Sequence, residues 1–250
     1  AILAEGVTVI RNAAKEPEII EEQNFYNRLG ARIRGAGTDM IRIEGVKALR
    51  SVPIDYTVIP DRIEAGTFML AAAVAKGEIQ LKEIIPEHLE SLTAKLKEAG
   101  VEVEVKEESI KVKSDKRLRA VDVTVLPYPG FPTDLQPQMT AALALAEGTS
   151  LLTENVFSGR FRYVDELVRM GANIRVEGRS AVVKGVPGFT GATVVAPDLR
   201  AAAAMVLAGL AAKGKTIVEG VDLLDRGYER FEEKLSSLGA RIKRVVKDEE

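Results

Sequence analysis

One carboxylate lies in an unusual setting, in the stretch LPYPGFPTDLQPQ of residues 126–138. Asp134 follows several prolines and a glycine, and the prolines fix the backbone at several points, which suits a positioned catalytic group. An aspartate directly before a helical pattern is also a favoured N-cap, because its oxygen accepts N–H groups of the first turn. The residues alone leave two roles open for Asp134, a helix cap and a positioned catalytic group.

Three arginines are candidate site residues. Arg160 lies in SGRF, Arg200 in PDLRA and Arg226 in LLDRGYER, where the last helix is predicted to start. Guanidinium groups bind carboxylate and phosphate through paired hydrogen bonds. This chemistry suits Arg226, whose alternative is a solvated ion pair with Asp225 or Glu229. The alternative for Arg200 is an interaction with a neighbouring residue.

Three further residues stand beside these arginines. Asp198 precedes Arg200 by two residues and is a candidate cap for the following alanine-rich helix. Val156 and Phe157, in ENVFSGRF, have the pattern of a strand end and a core position, which is the usual place of apolar residues. Their chemistry is not evident from the residues alone.

The composition of the 250-residue chain excludes several classes of site. Hydrophobic content of 46%, charged content of 29% and a net charge of −2 are ordinary for a globular protein and give no general attraction to nucleic acid or anionic membranes. No apolar run reaches the roughly 20 residues of a membrane span. One histidine and no cysteine leave no metal site, and we expect no cofactor. A cytoplasmic setting fits the absence of cysteine.

Four copies of one unit must position these residues. The pattern A-[EK]-G recurs with Gly6, Gly77, Gly148 and Gly214, and each copy is followed by a short strand-like run. A second helical pattern in each copy then ends in a glycine that suits the left-handed position after a helix. These closing glycines are Gly30, Gly100, Gly171 and Gly239.

Each unit is predicted to run helix, strand, helix, strand, strand. The class is therefore α/β, and parallel strand pairing across the helical crossovers is expected. In units two to four an aspartate precedes the first helix, namely Asp61, Asp134 and Asp198. Unit one has no such start, so we expect that an N-terminal part of the protein is missing.

The chain resembles the C-terminal part of the UDP-N-acetylglucosamine enolpyruvyl transferase (1-carboxyvinyltransferase) family. The segments that carry the resemblance run along the whole chain and include LAEGVTVIRNAAKEPEI, NRLGARIRGAGTDMIRIEGV, VIPDRIEAGTF, AVDVTVLPYPGFPTDLQPQM, EGTSLLTENVFSGRF, APDLRAAAAMVLAGLAAKG and DRGYERFEEKLSSLGA. The resemblance implies an inside-out α/β barrel of repeated βαβαββ-type units. Residues 1–59 would complete the last unit of a first domain, and residues 60–250 would form a second domain of three units.

The resemblance also implies a reaction and roles for the residues above. The enolpyruvyl group of phosphoenolpyruvate would pass to the 3-hydroxyl of UDP-N-acetylglucosamine with release of phosphate, the first committed step of peptidoglycan synthesis. Asp134 would be the general base and Arg226 would close on phosphoenolpyruvate. The implied substrate-binding residues are Asp134, Val156, Phe157, Arg160, Asp198 and Arg200.

Two other functions stay open at this stage. One is a 5-enolpyruvylshikimate-3-phosphate synthase-like transferase, although PYPGFPTDLQPQ and DRGYE resemble the UDP-sugar branch. The other is a non-catalytic scaffold domain, which would need neither motif. The resemblance places the proton donor in the missing N-terminal part, so that part is an expected partner and this chain alone is expected to be inactive.

Overall fold

The computed structural model describes residues 1–50 and 55–245. The chain divides into two compact units, one formed by Ala1–Pro60 with Leu126–Gly130, and one formed by Asp61–Val125 and the chain from Phe131 onward. Residues 51–54 and 246–250, which fall inside the two predicted domains, lie outside the described residues. The assignment of the units to a first and a second domain of a longer protein stays a prediction.

The described residues form helices and strands in the repeated order expected from the sequence, except that no strand follows the last helix among the residues described up to 245. The α-helices are α1 (Pro17–Arg28), α2 (Arg62–Ala75), α3 (Glu90–Glu98), α4 (Gln136–Leu143), α5 (Val164–Arg169), α6 (Leu199–Ala211) and α7 (Phe231–Ser237). The strands are β1 (Val7–Arg11), β2 (Arg32–Arg34), β3 (Met40–Glu44), β4 (Glu78–Lys82), β5 (Glu102–Lys106), β6 (Ser109–Lys113), β7 (Val123–Val125), β8 (Thr149–Glu154), β9 (Asn173–Glu177), β10 (Ser180–Lys184), β11 (Phe189–Thr190), β12 (Thr193–Val195), β13 (Ala212–Lys213) and β14 (Ile217–Glu219).

The first unit is a small antiparallel sheet with one helix. Its strand order is β1-β3-β2, and α1 packs near β2. Ala31, Ile33, Ile41 and Ile43 form its buried apolar cluster. The alternation of buried and exposed residues along β3 shows that one face of the sheet is covered and the other faces solvent.

Three buried helices form the centre of the second unit. Every residue of α4 is buried, as are nearly all of α2 and most of α6, and the three helices pack against one another. The sequences of α2 and α6 are mostly apolar and rich in alanine, so these helices can be surrounded by protein and approach their neighbours closely. Helix α4 also buries Gln136, Gln138 and Thr140, and each of these side chains makes a hydrogen bond. The sheets lie outside this helical centre, with alternate residues of their strands exposed.

The predicted parallel pairing is wrong for most strands. In the order β4-β6-β5, both neighbours of β6 are antiparallel to it, and β9, β10 and β8 pair in the same way. The crossover helix α3 still joins two strands of equal direction, but the hairpin strand β6 inserts between them. Parallel pairs among the described residues are β7–β8, β11–β13 and β12–β14.

The α/β class and the repeated unit are confirmed. The segment β7-α4-β8-α5-β9-β10 is a complete βαβαββ unit, and its strand order is that of an open sheet. The four closing glycines are also in the left-handed region, where a side chain would be strained. Their φ angles are 96°, 93°, 98° and 96° for Gly30, Gly100, Gly171 and Gly239.

Candidate active site

Asp134 lies in a 3-10 helix, Thr133–Leu135, immediately before α4. The predicted cap is wrong, because no side chain caps either this turn or α4. A capping aspartate bonds N–H groups two and three residues ahead. Three residues after Asp134 stands Pro137, which has no N–H to donate. The carboxylate is therefore available for other partners.

Two arginines from distant parts of the chain hold the Asp134 carboxylate. Arg160 Nη2 donates to Oδ1 at 2.7 Å, and Arg200 Nη2 donates to Oδ2 at 2.9 Å. The arginine side chains are only 7% and 16% exposed, whereas that of Asp134 is 38% exposed. The two guanidinium groups are thus mostly buried behind a carboxylate that still reaches solvent.

Arg160 also fixes the backbone beside Asp134. Its Nε and Nη2 atoms donate to the carbonyl oxygen of Thr133 at 3.2 and 3.1 Å. Because one guanidinium binds both a side chain and the preceding carbonyl, it constrains the position and the orientation of the carboxylate together.

Arg200 is placed by the cap of its own helix. Asp198 accepts the backbone N–H groups of Arg200 and Ala201 at 2.9 Å each, so its predicted capping role is confirmed. Burial acts to lower the pKa of Arg200, but Asp134 and Tyr228 outweigh it and the pKa is raised. The guanidinium lies 5.6 Å from the centre of the Tyr228 ring, a cation–π distance. The positive charge of Arg200 is therefore stabilised by the Asp134 carboxylate and by the Tyr228 ring.

Tyr228 connects this group to the central helices. Its hydroxyl lies 2.9 Å from Thr67 Oγ1 of α2 and accepts from Gln138 Nε2 of α4 at 3.1 Å. Burial raises the pKa of Tyr228, so the phenol stays protonated at neutral pH. Residues of α2, α4 and α6 thus meet at one buried tyrosine.

Val156 and Phe157 are not core residues, contrary to the prediction from their type. They follow β8 in an exposed turn, with exposures of 42% and 52%. Both backbone N–H groups donate to Oε1 of Glu154, at 2.8 and 2.9 Å. The Phe157 ring centre lies 5.0 Å from the guanidinium carbon of Arg160. The turn is thus joined to the arginine that holds Asp134.

Sequence reasoning missed Glu154, Thr133 and Tyr228 as members of this group. Glu154 is 2% exposed and its Oε2 accepts the Thr133 hydroxyl at 2.9 Å. Its position in the sequence carried a signal, because Ser150, Leu152 and Glu154 share one face of an alternating strand. A carboxylate on the buried face of such a strand needs specific partners.

Arg226 stands apart from this group. It is exposed at the end of a 3-10 helix, Val221–Arg226, and the predicted position at the start of the last helix is wrong, because α7 begins at Phe231. The ion pairs considered for it are also wrong, since Asp225 pairs with Arg244 and Glu229 with Lys234. Among residues 1–50 and 55–245, no hydrogen bond or ion pair joins Arg226 to the Asp134 group.

The part of the chain that the structure describes contains no group of three or more His, Asp or Glu side chains that could hold a metal ion. Within the same residues, no helix is both long enough and apolar enough to cross a bilayer. The arrangement instead offers an accessible carboxylate held by two guanidinium groups. This carboxylate can take a proton from a hydroxyl group or orient that hydroxyl group.

Two solved structures are similar to this fold. The crystal structure of the enolpyruvyl transferase NikO from Streptomyces tendae has a TM-score of 0.83 and 30% identity, covering 97% of this chain and 57% of that chain. EPSP synthase from Acinetobacter baumannii has a TM-score of 0.71 at 21% identity, covering 98% of this chain and 59% of its own, which supports the fold.

The sequence matches the same class. Residues 1–235 match the EPSP synthase (3-phosphoshikimate 1-carboxyvinyltransferase) family, and the chain belongs to this family. It is 56% identical over 245 residues to UDP-N-acetylglucosamine 1-carboxyvinyltransferase 1 of Symbiobacterium thermophilum, covering 98% of this chain and 55% of that protein. It is 57% identical over 247 residues to UDP-N-acetylglucosamine 1-carboxyvinyltransferase 2 of Caldanaerobacter subterraneus subsp. tengcongensis, covering 98% of this chain and 59% of that protein. The predicted resemblance is confirmed, and the chain spans less than two thirds of these relatives.

Proposed function

We propose that this chain forms part of an enzyme that transfers the enolpyruvyl group of phosphoenolpyruvate to the 3-hydroxyl of UDP-N-acetylglucosamine and releases phosphate. The relatives that support this carry the name UDP-N-acetylglucosamine 1-carboxyvinyltransferase and are 56% and 57% identical. The reaction class follows from the family, and the acceptor follows from the names of these relatives. The shikimate acceptor has weaker support, because EPSP synthase from Acinetobacter baumannii is only 21% identical.

The observation that carries the proposal is the Asp134 carboxylate between Arg160 and Arg200. An ionised carboxylate has about four lone-pair sites, and the two arginine bonds leave others for a substrate hydroxyl. Asp134 accepts the proton of the 3-hydroxyl while that oxygen bonds to the enol carbon of phosphoenolpyruvate, and the electron pair of the C=C bond takes a proton at the methylene carbon from the donor in the N-terminal part. Loss of phosphate, together with a proton from the methyl carbon of the resulting tetrahedral adduct, restores the C=C bond and yields the enol ether.

The other site residues have supporting roles in this proposal. Arg226, exposed and without a partner in the described residues, binds the carboxylate or phosphate of phosphoenolpyruvate through its planar fork. The Val156–Phe157 turn contacts the UDP-sugar. Asp198 caps α6 and so holds Arg200 against Asp134.

The proposed setting is the cytoplasm, where the product would enter peptidoglycan synthesis and so contribute to cell-wall formation, cell shape and division. The partners are the two substrates and the N-terminal part of the same enzyme, which supplies the proton donor. Neither nucleic acid nor membrane takes part.

A chimera tests the proposal. This chain replaces the matching 247 residues of the Caldanaerobacter subterraneus relative, and phosphate release from phosphoenolpyruvate is measured with UDP-N-acetylglucosamine, with shikimate 3-phosphate and with neither. We expect release only with the UDP-sugar, and none from the 250-residue chain alone. Release with shikimate 3-phosphate would assign the chain to the other branch. An inactive chimera that folds would contradict the proposed function.

A further inference from the structure

Glu154 joins two segments that are distant in the sequence. Its side chain is buried at the end of β8, and both of its oxygens are used. Oε1 accepts the N–H groups of Val156 and Phe157 at 2.8 and 2.9 Å, and Oε2 accepts the hydroxyl of Thr133 at 2.9 Å. One buried carboxylate therefore connects the turn after β8 with the turn before α4.

Each segment carries part of the candidate site. Thr133 directly precedes Asp134, and its carbonyl oxygen accepts two bonds from Arg160. The turn at residues 156–157 places Phe157 against the same Arg160. Contacts thus run from Glu154 to Thr133, to Arg160, to Phe157 and back to Glu154, and they enclose the candidate base and the candidate sugar-binding turn.

A purely structural role would not require an acid at this position. Removing a carboxylate from water costs several kcal/mol unless hydrogen bonds compensate for the lost hydration. A neutral side chain could cap the turn without that cost. Bonds to a charged acceptor are shorter and stronger than neutral ones, so a carboxylate fixes the two segments more tightly than an amide would.

We propose that Glu154 is a positioning residue that holds Asp134 and the Val156–Phe157 turn at a fixed separation, so that the hydroxyl of the bound UDP-sugar faces the base. The assignment of the sugar rests on the proposed function. The inference that Glu154 joins the two segments is independent of the proposed function.

Amide hydrogen exchange of the 250-residue chain tests the joining directly. In Glu154→Gln, the amides of Val156 and Phe157 should exchange about tenfold faster, the factor expected when a charged acceptor is replaced by a neutral one. Thr133→Val removes only the hydroxyl, and we expect faster exchange at the same two amides because Glu154 loses its anchor. The matched control is Asp122→Asn, since Asp122 accepts the Leu151 N–H on the same strand at 2.8 Å.

Steady-state kinetics of the same variants in the chimera test the positioning role. Glu154→Gln should raise KM for UDP-N-acetylglucosamine and lower kcat, each about tenfold, whereas Thr133→Val, which removes one of the three bonds, should change both in the same directions by about threefold. Asp122→Asn should match the unmodified chimera in both. A general loss of stability would instead lower the melting temperature and leave kcat and KM of the folded protein unchanged.

The outcomes separate this proposal from the proposed function. If the unmodified chimera is inactive, the function fails and amide exchange alone decides whether Glu154 joins the segments. If the amides of Val156 and Phe157 exchange at the unmodified rate in Thr133→Val, Glu154 does not join the two segments. This test remains valid even if Glu154→Gln does not fold. Changed exchange with normal kcat and KM in Thr133→Val and Glu154→Gln would overturn the positioning role.

Discussion

Asp134 and Asp198 occupy the same place in successive repeats, yet their carboxylates bind different partners. Asp198 accepts two backbone N–H groups at the start of α6, and Asp61 does the same at the start of α2. Asp134 accepts two guanidinium groups. One repeat position thus provides a helix cap in two units and a candidate base in the third.

The difference begins with a proline. The N–H groups that Asp61 and Asp198 accept belong to the residues two and three positions ahead. Three positions after Asp134 the chain has Pro137, which has no N–H, and Asp134 itself lies inside a 3-10 turn. Loss of the local donor leaves the carboxylate free for charged partners that tertiary packing brings near.

The largest effect is expected for Asp134→Asn in the chimera. Phosphate release should fall about 10²- to 10⁴-fold, because an amide cannot act as the base. The control Asp61→Asn should be fully active, since asparagine caps as well as aspartate. Rates are compared per folded molecule, because Arg160 and Arg200 lose a charged partner. Full activity of Asp134→Asn would show that the repeat difference has no catalytic meaning.

Arg226→Ala should lower kcat/KM for phosphoenolpyruvate about 10- to 100-fold, the cost of one charge-assisted contact. Its melting temperature should stay at the unmodified value, because the exposed Arg226 has no partner in the described residues. Initial rates at varied phosphoenolpyruvate and thermal unfolding by circular dichroism give the two readings. A marked loss of stability would favour a structural arginine instead.

Asp61→Ala tests the capping half of the comparison. Loss of both cap bonds should lower the free energy of unfolding by about 1 kcal/mol. Urea unfolding measures the change, with Asp61→Asn as the matched variant that retains the cap. Equal stability of the two variants would mean that the bonds at Asp61 contribute nothing.

The smallest effect is expected for Pro137→Ala. The new N–H gives Asp134 a backbone donor that competes with the arginines. We therefore expect kcat to fall about twofold to threefold, the factor that corresponds to the free energy of one weak hydrogen bond. The same chimera assay measures it. An unchanged or higher kcat would show that the missing N–H is not what frees the carboxylate.

Much of the fold could be predicted from the sequence because its signals are local. The repeat, the closing glycines and the buried alanine-rich helices each depend on a few neighbouring residues. The pairing of strands could not, because a hairpin strand inserts between the two strands that a helix connects. Among the site residues, the cap at Asp198 was predictable, whereas the exposed position of Val156 and Phe157 was not.

The sequence by itself determined which groups are available: an aspartate with no cap donor three residues ahead, arginines able to bind anions, and a glutamate on the buried face of a strand. Only the tertiary structure decided that Asp134 meets Arg160 and Arg200. These arginines lie 26 and 66 residues away along the chain. Capping is decided within one helical turn, whereas these distant contacts depend on how the segments leading into α4 and α5 pack against the start of α6.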